Sequence, residues 1–267
     1  MRAGFAESRK KLLAVALVAA GVIGFSWLVA KALGYGALSF SFGDSLAACA
    51  GGISIFDPER DLRFRFPAAW ILMLLTIAYV TLSYPYRDLM GFGRSVLVAS
   101  GQRRSWWLSK CAWVVAASLA SCAVVAMVAL AATAVMGGAM SMRMGPEVPH
   151  ALLFESAPDA SLELLPFVLS CCCMMVALCL MQLALSLVVR PVLGFCATAS
   201  LLLGSAYAFL PALPGNYLMV ARTSAVIAEG TDPLVGVGLA VVVAVASVVL
   251  GGIYFSRMDC MDREYAQ

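Results

Sequence analysis

The chain has 267 residues, 63% of them hydrophobic and only 12% charged. A soluble domain is nearer half apolar and a quarter charged, and one core of this size has no room for the excess, so lipid is its natural solvent. A net charge of +3, not pooled on any one stretch, argues against a nucleic-acid surface.

A bilayer core needs about 20 apolar residues of helix, and six stretches supply them: 12–34, 68–84, 111–136, 164–189, 192–213 and 234–255. They are apolar on every side rather than alternating, which predicts helices and not barrel strands. The first follows Arg9, Lys10 and Lys11. It is longer than a signal-peptide core and leads to no small-residue cleavage site before a soluble domain, so it is expected to be a retained span. The segment from Tyr35 to Pro67 reads as a charged outer connection with a turn at Asp57-Pro58. The second span follows.

The connection from Tyr86 to Lys110 carries the most information. Leu89, Met90, Phe92, Val96 and Leu97 recur at helical spacing among charges, and Gly91, Gly93 and Gly101 punctuate them. A short amphipathic helix followed by a basic turn is predicted. Trp106 and Trp107 stand where the chain re-enters lipid, as interface anchors do. Two uses fit: anchorage on anionic headgroups, or docking of a cytoplasmic protein.

Beyond the third span, Gly137 to Glu163 holds Pro146, Pro149 and Pro158 and reads as an outer loop. Gln182 sits mid-span in the fourth span, with Ser170 and Ser186 on the same helix, and is expected to join helices by a hydrogen bond rather than to bind a substrate. The segment from Pro214 to Pro233 is half apolar and bounded by breakers. It suits either a short interfacial or re-entrant helix, or an ordinary amphipathic outer loop.

With both termini inside, twelve of the 18 Lys and Arg fall inside and six outside. The positive-inside rule then places both termini in the cytoplasm. The predicted fold is an all-α integral membrane domain of six transmembrane helices, with a short helix at the inner face between helices 2 and 3.

Several chemistries lack their residues. No GxxxxGK[ST] phosphate loop occurs, and a single His150 builds neither an HExxH motif nor a His-based zinc site. No metal or catalytic site is expected. The nine cysteines, among them consecutive Cys171, Cys172 and Cys173, read as packing residues rather than a disulfide framework. No Asp, Glu or Arg sits mid-span, which argues against an ion-coupled carrier.

Tyr84-Pro85-Tyr86-Arg87-Asp88, Gly91, Arg94-Ser95 and the block from Gly101 through Arg103, Arg104, Trp106, Trp107 and Lys110 resemble the loop between helices 2 and 3 of a family of bacterial ABC transporter permeases. These are six-helix subunits of the type-2 exporter class, common in Gram-positive bacteria. Leu213-Pro214-Gly215-Asn216-Tyr217-Leu218-Met219-Val220-Ala221-Arg222 is a second match, and Arg257-Met258-Asp259 a weaker third. The resemblance implies a permease, with a second copy or a sister permease, seated on two cytoplasmic ABC ATPase subunits that bind ATP and Mg. The short helix would be the coupling helix. Asp88, Arg94, Arg103, Arg104 and Lys110 would line the ATPase contact, with Trp106 and Trp107 fixing its depth. Asn216, Tyr217, Met219 and Arg222 would form an outer gate. The setting implied is the bacterial cell membrane. The rival reading is a non-transporting membrane scaffold or immunity protein, which would need no ATPase.

Overall fold

The computed structural model describes residues 2–34, 40–56, 64–82, 84–91, 95, 97, 99, 102–145 and 161–257. The expected turn at Asp57-Pro58, the three prolines of the second outer loop, His150, Arg94 and the Met258-Asp259 ending lie outside the described residues.

Among the described residues the helices are α1 (Arg2–Ala32), α2 (Phe42–Ala50), α3 (Ala68–Leu82), α4 (Tyr84–Met90), α5 (Arg103–Met136), α6 (Leu165–Val188), α7 (Pro191–Tyr207) and α8 (Pro233–Arg257). A two-residue pair, β1 (Arg143–Met144) with β2 (Leu162–Glu163), runs antiparallel with Arg143 opposite Glu163. Five helical runs are long and apolar enough to cross a membrane: Arg9–Ala32, Ala68–Leu89, Arg103–Met136, Leu165–Val188 and Pro233–Arg257. Their outward faces carry Leu17, Phe25, Leu119, Met127, Val242 and Leu250, each about half or more exposed. Apolar groups so placed need a lipid solvent. The chain is an all-α protein of multi-pass membrane character.

The fifth expected span, 192–213, is shorter than anticipated. Helix α7 stops at Tyr207 after 17 residues, about 26 Å of helix against a hydrocarbon core of about 30 Å. Residues 208–213 continue without regular structure, and Pro211 disfavours helix at the residue before it. α6 and α8 nonetheless run parallel: a Cβ on Gly236 in the first turn of α8 would meet Ser170 Oγ, one turn into α6, at 2.4 Å. α7 and the stretch after it therefore carry the chain back along the length of the bundle.

Among the described residues, α8 lies against α6 in the most extensive helix contact. Gly236, Ala240, Ser247 and Gly251 form its buried stripe, and small residues at that spacing let backbones approach. Gly194 does the same for α7, where an added Cβ would come within 3.2 Å of the α6 backbone at Gln182 and Ser186. Gln182 Nε2 donates to the Ala78 carbonyl of α3 at 3.0 Å, joining helices as expected.

Among the described residues, one end of the bundle carries most of the basic side chains, including Lys11, Arg87, Arg103, Arg104, Lys110, Arg190 and Arg257. The other is closed by residues 40–56, 139–145, 161–164 and 208–232. The sequence reading treats 35–67 as a loop, yet α2 sits there, buried from Gly43 to Cys49. Its start is fixed by a reciprocal cap. Ser41 Oγ accepts from Asp44 N at 3.1 Å, and Asp44 Oδ2 accepts from Ser41 N at 2.7 Å. Asp44 Oδ1 also accepts from Gly145 N at 2.8 Å, tying α2 to β1.

Candidate functional site

Two constellations stand out, one at each end. At the closed end the segment expected as a short helix or an outer loop is divided: residues 224–230 are exposed or half-buried, and the part before them is packed inside. That part forms two tight 3-10 turns, Pro214–Leu218 and Val220–Arg222, and every residue from Pro214 to Thr223 is buried. Buried backbone needs partners. Trp70 Nε1 donates to the Leu218 carbonyl at 2.8 Å, and Ala221 N donates to the Gly51 carbonyl at 3.1 Å.

Arg222 is the centre of this end, with no accessible surface. Its Nε donates to the Ile53 carbonyl at 3.0 Å. One terminal nitrogen donates to the carbonyls of Ser205 and Ala208 and to Asn216 Oδ1, the other to the carbonyls of Ser54 at 3.2 Å and Ala206 at 2.8 Å. Ser205 and Ala206 belong to the last turn of α7, whose carbonyls have no partner within the helix and carry the negative end of its dipole. The guanidinium thus caps the buried side of the last turn of α7, at Ser205 and Ala206. No carboxylate among the described residues pairs with Arg222. Loss of solvent lowers its pKa to about 10, so it stays charged at neutral pH.

Of the other expected gate residues, Asn216 touches Arg222 directly and also donates from Nδ2 to the Leu210 carbonyl at 2.7 Å. Tyr217 OH donates to the Pro211 carbonyl at 3.0 Å. Met219 packs on Gly52, whose φ of +72° belongs to glycine and where a Cβ would fall 2.4 Å from Met219 Cγ. The structure brings all four into one buried plug, joined by residues 51–54, which sequence reasoning left out. The Ser41-Phe42-Gly43-Asp44 capping pattern was the available signal for that neighbourhood.

At the basic end, α4 and α5 meet through an ion pair: Asp88 Oδ2 lies 2.7 Å from Lys110 Nζ. Lys110 also stands over the Trp106 ring, 5.2 Å from its centroid. Trp106 stacks on Phe255 of α8 at 4.9 Å between centroids, and Trp107 lies 6.3 Å from the same ring. Trp107 Nε1 donates to the Val248 carbonyl at 2.9 Å. Arg103 donates to the Ser256 carbonyl in the last turn of α8 at 3.1 Å.

These positions correct two expectations. Helix α5 begins at Arg103, eight residues before the anticipated Cys111. The basic turn is therefore helix, and Arg103 holds a C-terminal carbonyl of its neighbour α8, that of Ser256. The tryptophans are buried against α8 rather than set in a lipid-facing belt, because Gly251 and Gly252 leave a slot for Trp107. Arg104 is exposed and makes no hydrogen bond or ion pair to a described residue. Leu89 and Leu97 are buried while Arg87, Ser95 and Ala99 are exposed, in keeping with the amphipathic pattern.

No group of three His, Cys, Asp or Glu side chains among the described residues is placed to hold a metal ion. The chemistry of these two sites is that of clamps: the Arg222 guanidinium held mainly by carbonyls, the Asp88–Lys110 ion pair, and the tryptophans stacked on Phe255. No family model, no curated protein and no solved structure matches the chain.

Proposed function

We propose that the chain is the membrane-spanning permease subunit of an ATP-driven ABC exporter, working with a separate cytoplasmic ATPase. The observation that carries the reading is the tie at the basic end. α4, at the end of the Ala68–Leu89 run, is fastened by Asp88–Lys110 to α5, and α5 is fastened by Trp106, Trp107 and Arg103 to α8. A push on α4 would travel into two membrane-length helices rather than dissipate in a loop. The sequence resemblance of this same stretch to coupling loops agrees with that use.

In this reading six crossings are made, with α7 the short one, and both termini lie in the cytoplasm of a bacterial cell. Two copies, or one copy and a sister subunit, sit on a pair of ATPases that bind ATP and Mg. The end face around α4 meets the motor. Asp88, Lys110 and the tryptophans transmit the push. Asn216, Tyr217, Met219 and Arg222 close the outer side.

The test is purification of the detergent-solubilised protein from its own host with assay of ATP hydrolysis. A phosphate-loop ATPase is expected to copurify. Asp88→Lys is expected to keep the ATPase but to lower substrate-stimulated hydrolysis about ten-fold, with recovery in the Asp88→Lys, Lys110→Asp double variant. Recovery of the wild-type protein with no nucleotide-hydrolysing companion overturns the reading in favour of a scaffold or immunity protein.

A further inference from the structure

A groove of about 260 Å³ opens between α5 and α8 at the basic end. Arg103 and Arg104 stand at its mouth, and its walls are Trp107, Val249, Gly252 and Ile253. The groove is charged at one end and apolar along its length, and its apolar walls belong to two membrane-length helices. Val249 is 50% exposed and Ile253 47% exposed, so the groove faces sideways, out of the bundle. Gly252 leaves room on its floor, where an added Cβ would come within 3.1 Å of the Trp107 indole.

We infer that this groove binds one anionic glycerophospholipid. Its phosphate sits on the exposed Arg104 beside Arg103, and one acyl chain lies over Gly252 between Val249 and Ile253. Charge complementarity selects the occupant. Arginine at the headgroup level attracts an anionic lipid but offers little to a zwitterionic one, and the apolar floor below it accepts a chain. An acidic peptide would satisfy the arginines but would leave that floor facing lipid. The inference rests on the membrane reading and not on the motor, so it is tested on the chain alone.

The experiment is native mass spectrometry of the protein released from nanodiscs of equimolar phosphatidylglycerol and phosphatidylcholine. Wild-type protein is expected to retain phosphatidylglycerol in preference. Arg104→Gln is expected to weaken that retention about five-fold, the effect of one arginine near the surface. Val249→Trp, which fills the groove from an exposed position, is expected to abolish it. Arg190→Gln, an exposed arginine at the α6–α7 turn of the same end, is expected to match wild type. Equal retention of the two lipids, or undiminished phosphatidylglycerol in both the Arg104 and Val249 variants, overturns the proposal.

Discussion

Arg222 donates to six acceptors, five of them backbone carbonyls. A buried cation is tolerated only when its donors are matched, and a planar fork does this where an ammonium does not. Arg222→Lys keeps the charge but reaches fewer of these carbonyls. It is expected to destabilise the protein by about 3 kcal/mol, seen as a lower midpoint for thermal unfolding in detergent. Asp44 is the matching anion of the same end, though bound to different partners. Burial raises its carboxyl above the ordinary 3.8, against the hydrogen bonds from Ser41 and Gly145 that lower it. The folded state therefore binds this proton more tightly than the unfolded chain. Its contribution to stability is largest at low pH and declines as pH rises through the folded-state pKa. Asp44→Asn should remove that decline from a profile of unfolding midpoint against pH, while costing about 1 kcal/mol for the acceptor lost to Ser41 N–H.

At the scale of elements, the α5–α8 contact is set by what glycine omits. A Cβ on Gly251 would lie 2.5 Å from Trp107 Cζ2. Gly251→Leu must displace the indole and break its bond to the Val248 carbonyl. We expect a loss of about 2 kcal/mol and a red-shifted tryptophan emission as the ring leaves its slot. The long helices were legible in the sequence because apolar runs near membrane length have few other uses. α2 was not, because Phe42–Ala50 is too short for a span and its cap, Ser41 to Asp44, sits in a stretch that looks like a connection. The burial of Trp106 and Trp107 was also hidden. A tryptophan pair next to basic residues reads the same in sequence whether it faces headgroups or a neighbouring helix, and only the pairing of α5 with α8 decides. Asn216 and Arg222 were named together through the resemblance, but the partners of Arg222 at Ile53 and Ser54 are remote in sequence and contribute only carbonyls, which leave no mark on residue type.

Taken as a whole, the molecule has a basic end, where α4 and the start of α5 sit, and a closed end, where the loops interlock. The bias in Lys and Arg predicts which end faces the cytoplasm. Single cysteines on a cysteine-free background at exposed Ser95 and Ser224 provide the check. An impermeant maleimide applied to intact cells is expected to label Ser224→Cys and to spare Ser95→Cys until the membrane is opened. The reverse pattern would invert the orientation. The guanidinium cage at the closed end has one more consequence. Because nearly all its acceptors are main-chain oxygens, replacing the side chains that surround them leaves the cage intact. A saturation library should therefore show Arg222 as an isolated intolerant column, with Asn216 partly so, while Ile53, Ser54 and Ala208 accept many replacements: the anchor is encoded at one codon and supported by atoms that every residue provides.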